Sequence, residues 1–200
     1  MKQVVTHSFD AYFNSDSEIL ILGSMPSVKS RELGFYYMHS RNRFWTVLSK
    51  IYEEEIPENI SLKKEFLKKH RIALWDVLQS CEIENSSDSS ISNVITNDIK
   101  GLLEKTNIQK IYTTGKKAFF FYQKYIYPKT MIEAVSLPST SPANACLSTK
   151  DLILKYQVIR GDIKNENNKN IIKFEMENAV KLDVPLIAEV SEARNWYECK

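Results

Sequence analysis

The spacing of apolar and polar residues divides the chain into short strands and amphipathic helices. Glu18-Ile-Leu-Ile-Leu-Gly23 is a continuous apolar run closed by glycine, the pattern of a strand covered on both faces. A Ser/Pro-rich loop is expected over residues 24–40. Phe44, Val47, Leu48 and Ile51 then recur at helical spacing, which predicts a helix over 42–52. Residues 61–70 read as a second, very basic helix, and Arg71-Ile-Ala-Leu-Trp-Asp76 as a short strand or strand-like turn. The Ser-rich stretch 85–92 reads as a loop, and Thr96 or Asn97 can cap a helix running to about Lys105. Residues 110–115 predict a strand ending in glycine, 116–127 an aromatic-rich helix and 131–136 a further strand. A Ser/Pro loop at 138–144 follows. Leu152, Leu154, Tyr156 and Val158 look like the closing element of a domain that ends at residue 162, and the Asn-rich segment after it reads as a linker. Strands alternating with helices imply an α/β layered fold with a mostly parallel sheet. Sites in such sheets lie beyond the carboxyl ends of the strands. Three Gly/Ser/Pro-rich segments fall there: 23–30, the turn near 115, and 137–145.

Composition narrows the class. At 200 residues, 43% hydrophobic and 26% charged, the chain has room and material for one full domain with a small appendage, and is not disordered throughout. No apolar run approaches the roughly 18 residues of a membrane span, and the first fourteen residues show no secretory pattern. Cys81, Cys146 and Cys199 form no CxxC pair, and His7, His39 and His70 are scattered, so neither a disulfide framework nor a metal site is expected. These features predict a metal-free, cofactor-free protein of the cytoplasm, with no membrane attachment. Charge is unevenly spread: residues 1–164 carry 22 Lys and Arg against 18 Asp and Glu, whereas 165–200 carry 5 against 7. Residues 26–45 combine Lys29, Arg31, Arg41 and Arg43 with Phe35, Tyr36, Tyr37, Phe44 and Trp45. Cations meet phosphates and rings stack on bases, so this mixture suits a nucleic-acid surface; a packed loop and helix with a solvated basic face has the same composition.

The densest chemistry is Gly23-Ser-Met-Pro-Ser-Val-Lys-Ser30 followed by Gly34-Phe-Tyr-Tyr-Met-His-Ser-Arg-Asn-Arg-Phe-Trp45. A Gly/Ser loop after a strand presents backbone N–H groups to an anion or a base edge. Neither GxxxxGK[ST] nor GxGxxG occurs, which removes the usual support for nucleotide hydrolysis or dinucleotide binding. A second loop, Leu137-Pro-Ser-Thr-Ser-Pro-Ala-Asn-Ala145, offers hydroxyls and an amide with little bulk.

These two stretches together resemble the uracil-DNA glycosylase superfamily, and within it most of all the hypoxanthine-DNA (deoxyinosine) glycosylases. Ala73-Leu-Trp-Asp-Val77, Asp88-Ser-Ser-Ile91 and Thr114-Gly-Lys-Lys-Ala118 add to the likeness, which covers about residues 7–160. The resemblance implies a three-layer α/β/α fold around a mostly parallel four-stranded sheet. It implies a monofunctional enzyme that flips hypoxanthine out of damaged DNA and cleaves its N-glycosidic bond with water, acting as a monomer in base-excision repair. Asn42, in the family's HxxNRFW stretch, matches a residue that orients water or hydrogen-bonds the base; a helix cap is its structural alternative. Tyr37 matches the aromatic that stacks on the flipped base, with Tyr36, Phe35, Ser24 and Met25 around it. Ser27, Lys29, Ser30, His39, Arg41, Ser139, Ser141 and Asn144 are the expected DNA contacts. Arg43 and Trp45 are expected to anchor the helix.

The chain departs from its relatives in the first loop. Mismatch-specific members carry Asn where Met25 stands, and uracil-specific members carry a carboxylate that Ser24-Met25 lacks. Uracil or mismatch-uracil excision is therefore the second reading, and a non-catalytic damaged-DNA-binding module the third. A flavodoxin-like small-molecule binder has no phosphate motif behind it. Asp76 is the nearest other carboxylate, expected to cap the next turn. Residues 176–200 resemble the extreme C-terminus of bacterial family A DNA polymerases without their catalytic stretch, so no polymerase activity is implied. A helix over 171–182 and a strand over 185–190 are expected in that tail.

Overall fold

The computed structural model describes residues 2–84 and 91–161. The expected linker, the tail elements and most of the Ser-rich loop lie outside them. The chain divides into two compact units, Met1–Gln157 and Val158–Lys200. Of the second, residues 158–161 are described, and they are helical.

The apolar run near the start becomes the central strand β2 (Ile19–Gly23), with all five residues buried. It pairs in parallel with β3 (Ile72–Asp76) on one side and β6 (Lys110–Thr114) on the other; β7 (Ala134–Leu137) adds in parallel to β6. The order is β3-β2-β6-β7. Strands with near-continuous apolar sequence need cover on both faces, and alternate side chains supply it. Leu20, Leu22, Ala73 and Ile111 share one core cluster with Ile99 and Leu102 of α4 (Ile99–Leu103) and with Phe121, Tyr122 and Ile126. Ile19, Ile21, Leu74 and Tyr112 are equally buried and belong with the opposite layer, where α2 (Phe44–Tyr52) and α3 (Ile60–Lys69) bury Phe44, Val47, Leu48, Phe66 and Leu67. The result is the three-layer α/β/α arrangement that the sequence pointed to.

Several boundaries differ from expectation for local reasons. The loop after β2 contains a short helix, α1 (Val28–Leu33), which Ser27 caps by accepting the Ser30 N–H. Asp98, rather than Thr96 or Asn97, caps α4. Helix α5 (Lys116–Phe121) runs through a π turn (Tyr122–Ile126) into α6 (Tyr127–Thr130). Met131, in the left-handed region at φ 56°, ends that helix, so β7 starts three residues later than the pattern suggested. A second sheet was not legible in the sequence: β1 (Lys2–Thr6), β4 (Leu78–Glu84) and β5 (Ser92–Thr96) pair antiparallel in the order β1-β4-β5. β4 begins one residue after β3, with no turn signal between them. The His7 N–H extends the β1–β4 ladder to the carbonyl of Gln79 at 2.7 Å, which carries His7 to the carboxyl edge of the parallel sheet.

Candidate active site

Parallel pairing aligns Gly23 with Asp76 and Thr114 with Leu137, so the loops after all four strands leave from one edge. Three of the strand ends form a buried floor. Asp76 Oδ2 lies 3.0 Å from His7 Nε2, and both side chains are almost fully buried. A Cβ built on Gly23 would overlap Asp76 Oδ1 and come 3.5 Å from the Tyr37 hydroxyl, so a hydrogen at this position is what lets the three groups meet. The Tyr37 hydroxyl in turn lies 3.2 Å from Thr114 Oγ1. The expectation that Asp76 caps a turn is corrected here: strand β4 follows, and the carboxylate is held by His7. Burial pushes the Asp76 carboxyl up from its ordinary value, and the His7 hydrogen bond works against that rise. Burial and the nearby Asp76 charge also push the Tyr37 phenol well above its ordinary range, against the Thr114 bond, so it stays a neutral hydroxyl at any physiological pH.

Tyr37 stands over this floor in a strained backbone at φ 56°, uncommon for an aromatic residue. One face of its ring stacks on Phe44 at 3.7 Å between centroids and 15° between planes, and the residue as a whole is half-buried. Asn42 lies at the entrance to α2. Its Oδ1 accepts the Phe44 N–H at 3.0 Å, so the cap-like bond is present. Among the described residues its Nδ2 amide has no partner, and the side chain is half-buried. Arg43 ties this region to the second loop. Its backbone N–H reaches the Thr140 carbonyl at 3.1 Å, and its guanidinium donates to the carbonyls of Asn144 at 2.7 Å and Leu147 at 2.5 Å. Sequence reasoning gave Arg43 only an anchoring role on its own helix; the bonds span a hundred residues. Tyr156 supports the same loop by donating to the Pro138 carbonyl at 2.7 Å.

Three expected contacts must be corrected. Phe35 and Tyr36 are 3% and 2% exposed and have no free face for a base. Phe35 stacks beside Trp45, and the Tyr36 hydroxyl donates to the Asp10 carbonyl at 2.9 Å. Gly34, left-handed at φ 67°, ends α1 and turns these two rings inward. Ser30 is also buried; its hydroxyl accepts the Met38 N–H and braces the loop. The remaining positions lie at the surface or half-buried around the site. Ser24 gives its carbonyl to the Leu78 N–H, and Met25 packs partly on the core. Ser27 and Lys29 are exposed, the latter 3.0 Å from Glu32. His39 Nδ1 accepts the N–H of exposed Arg41. In the second loop the Ser139 and Ser141 hydroxyls accept backbone N–H groups two residues on, and the Asn144 amide donates to the Ser139 carbonyl. His7 and Thr114 are members of the floor that the sequence did not single out. Thr114 opens the Thr114–Ala118 stretch of the resemblance without a role assigned to it, and no motif marks His7, which strand register alone brings in. Among the described residues no cluster of His, Cys, Asp or Glu could hold a metal ion, and no helix is long and apolar enough to cross a membrane.

The carboxyl edge of the parallel sheet thus gathers an aromatic ring, Tyr37, an amide, Asn42, and two small polar loops. The chain belongs to the uracil DNA glycosylase superfamily, whose profile matches residues 11–158. Its relatives include a hypoxanthine DNA glycosylase of Methanosarcina acetivorans, 34% identical over 143 residues, which are 70% of this chain and 89% of that protein. Another, from Methanosarcina barkeri, is 33% identical over 112 residues, 55% of this chain and 71% of its own. The solution structure of a candidate uracil DNA glycosylase from M. acetivorans superposes with a TM-score of 0.66 at 31% identity, covering 79% of this chain and 99% of that one. A separate match of 32 residues, 66% identical, is to DNA polymerase I of Caldicellulosiruptor bescii and spans 4% of that enzyme.

Proposed function

We propose that this protein is a monofunctional DNA glycosylase that excises hypoxanthine from deoxyinosine, working as a cytoplasmic monomer on damaged DNA. The observation that carries the reading is the pairing of Tyr37 and Asn42 across Phe44: a ring fixed by stacking and, within hydrogen-bonding reach of the same helix start, an amide with an unengaged Nδ2. In the reaction water adds to C1′ of the sugar as the C1′–N9 bond breaks, giving an abasic site and free hypoxanthine. The transition state has oxocarbenium character at the sugar and negative charge on the leaving base. In this reading a flipped base stacks on the Tyr37 ring and the Asn42 amide donates to the departing anion. The DNA phosphates on either side of the lesion favour the cationic sugar. A strong general base is not required, which suits a site whose one buried carboxylate, Asp76, is already bound to His7. The likeness to two hypoxanthine DNA glycosylases supports the choice of base, and Met25 in the first loop counts against uracil.

The test is a duplex bearing one deoxyinosine, incubated with the folded protein and then treated with alkali, beside matched uracil and xanthine duplexes. Strand breaks at inosine are expected to exceed those at uracil. No breaks at inosine would refute the assignment, and binding without base release would point to a non-catalytic module.

A further inference from the structure

The longest stretch of the chain without an acidic residue is 105–132, and it carries six lysines. At its centre lies α5, which starts at the site: a Cβ on Gly115, the residue before the helix, would come 3.1 Å from Ser139 of the second loop. At 100° per residue, Lys116, Lys117 and Phe120 fall within one third of the circumference of α5, and Lys124 of the following π turn lies over the Phe120 ring. Ring contacts agree with that placement. The Lys124 ammonium sits 5.8 Å from the Phe120 centroid and 5.1 Å from that of Tyr125, and Lys117 lies 5.9 Å from the Phe121 ring. Phe120 is 52% exposed, unusual for a phenylalanine on a helix that otherwise buries its apolar side. Among the described residues none of these three ammoniums has an ion-pair partner. The nearest acidic residues in sequence are Glu104 and Glu133, at the far ends of the stretch.

We propose that this face of α5 is a second DNA-binding surface, a track of ammonium groups that takes the phosphates of the duplex flanking the lesion. The proposal rests on the glycosylase reading only for the identity of the partner. Three features favour a duplex over a solvated helix face. The charge is of one sign and uncompensated. It begins beside the loop that faces the base and continues for about 12 Å along the helix to Lys124, two or three phosphate spacings away. The Lys117 and Lys124 ammoniums are held against aromatic rings rather than free to wave in solvent, which lowers the entropy lost when a phosphate binds.

Phosphate contacts have a signature that a structural role does not share. Each one lost lowers the slope of log Kd against log salt by about 0.9. The experiment measures that slope on an undamaged duplex and on a deoxyinosine duplex, with excision rates at saturating protein. Lys116→Gln/Lys117→Gln/Lys124→Gln should reduce the slope by about 2 to 3 and leave the saturated excision rate unchanged. The comparison variant, Lys64→Gln/Lys68→Gln/Lys69→Gln on α3 of the opposite layer, removes the same charge and should leave the slope nearly intact. Replacing the α5 lysines by Arg should preserve the wild-type slope, which guards against a fold defect in the Gln variant. Equal effects of the α5 and α3 variants would mean that only net charge matters, and would overturn the proposal; so would an unchanged slope in the α5 variant. Because the readout is binding, a protein that excised no hypoxanthine would refute the proposed reaction and leave this test standing.

Discussion

Replacing Asn42 by Asp separates the two tasks that the structure gives this side chain. Oδ1 accepts the Phe44 N–H at 3.0 Å at the start of α2, and Nδ2 has no partner among the described residues. Aspartate keeps an acceptor in the same place and brings a negative charge to a helix N-terminus, a change of about 0.3–1 kcal/mol in favour of folding. Alanine removes the acceptor and should cost about 0.5–2 kcal/mol. The half-buried setting of Asn42 argues against the lowest part of that range. For excision the order differs. Both variants lose the amide donor, and losing one positioned transition-state contact costs about two to four orders of magnitude in rate. The expected pattern is therefore that Asn42→Asp is as stable as wild type or slightly more so, Asn42→Ala is mildly destabilised, and both are crippled in single-turnover release of hypoxanthine with little loss of DNA affinity. Urea midpoints and alkali-developed strand breaks measure the two axes independently. If Asn42→Asp excises within a few-fold of wild type, the donor argument fails and the side chain works as an acceptor for water. If activity follows stability across both variants, Asn42 is a cap and nothing more.

Four further outcomes are expected. Tyr37→Ala should weaken binding of an extruded base by about 1–3 kcal/mol, read as reduced affinity for a deoxyinosine duplex relative to an undamaged one; equal affinities in wild type and variant would remove the stacking role. Gly23→Ala places a methyl group against Asp76 Oδ1 and should lower stability by about 1–3 kcal/mol in urea unfolding, whereas an unchanged midpoint would show that the floor is looser than its geometry. Burial raises the Asp76 carboxyl above its ordinary value of 3.8, partly offset by His7, so the folded state holds that proton more tightly than the unfolded one. The Asp76 contribution to stability is then greatest below the ordinary carboxyl range and declines as pH rises through the folded-state value. The stability of wild type minus that of Asp76→Asn should fall as pH is raised from 3 to 7, and a rising difference would reverse the assignment. A chain ending at Asp162 retains the family-matched region and every site residue, so it should fold and excise deoxyinosine at near-normal rates; a folded but inactive product would place the tail in the site.

The parallel sheet was legible chiefly from β2 and β3, which are buried on both faces and read as apolar runs bounded by glycine or charge. Helix α2 was legible from its apolar spacing, and α3 as a very basic helical stretch. The antiparallel sheet was not, because β1 and β5 expose much of their surface and β4 follows β3 without punctuation. Of the site, the sequence made Tyr37 and Asn42 visible through a resemblance, and the mixture of bases and aromatics over 26–45 made the segment conspicuous. That mixture overstated the surface: Phe35, Tyr36, Phe44 and Trp45 form core under the loop. Composition does not tell a stacking platform from a packing element; backbone conformation does. Gly34 turns two rings inward, and Tyr37, at positive φ, is left over the sheet edge. His7 and Asp76 are 69 residues apart, and only the β1–β4 register could have paired them.

The backbone strain at Tyr37 explains why so much structure converges on one residue. A bulky side chain in the left-handed region costs on the order of 1–3 kcal/mol and persists only where the surroundings over-determine it. Here the surroundings are the Phe44 ring from α2 and Thr114 from β6, with the space over Gly23 kept clear by the absence of a side chain. Arg43 precedes Phe44 and follows Asn42, so the same three-residue segment carries the stacking partner, the candidate donor and the clamp on the second loop. A shift at the start of α2 therefore moves the ring, the amide and the loop together. Hydrolysis of an N-glycosidic bond is served by that coupling, because a site without a strong acid or base depends on keeping a few weak contacts in fixed relation to the sugar.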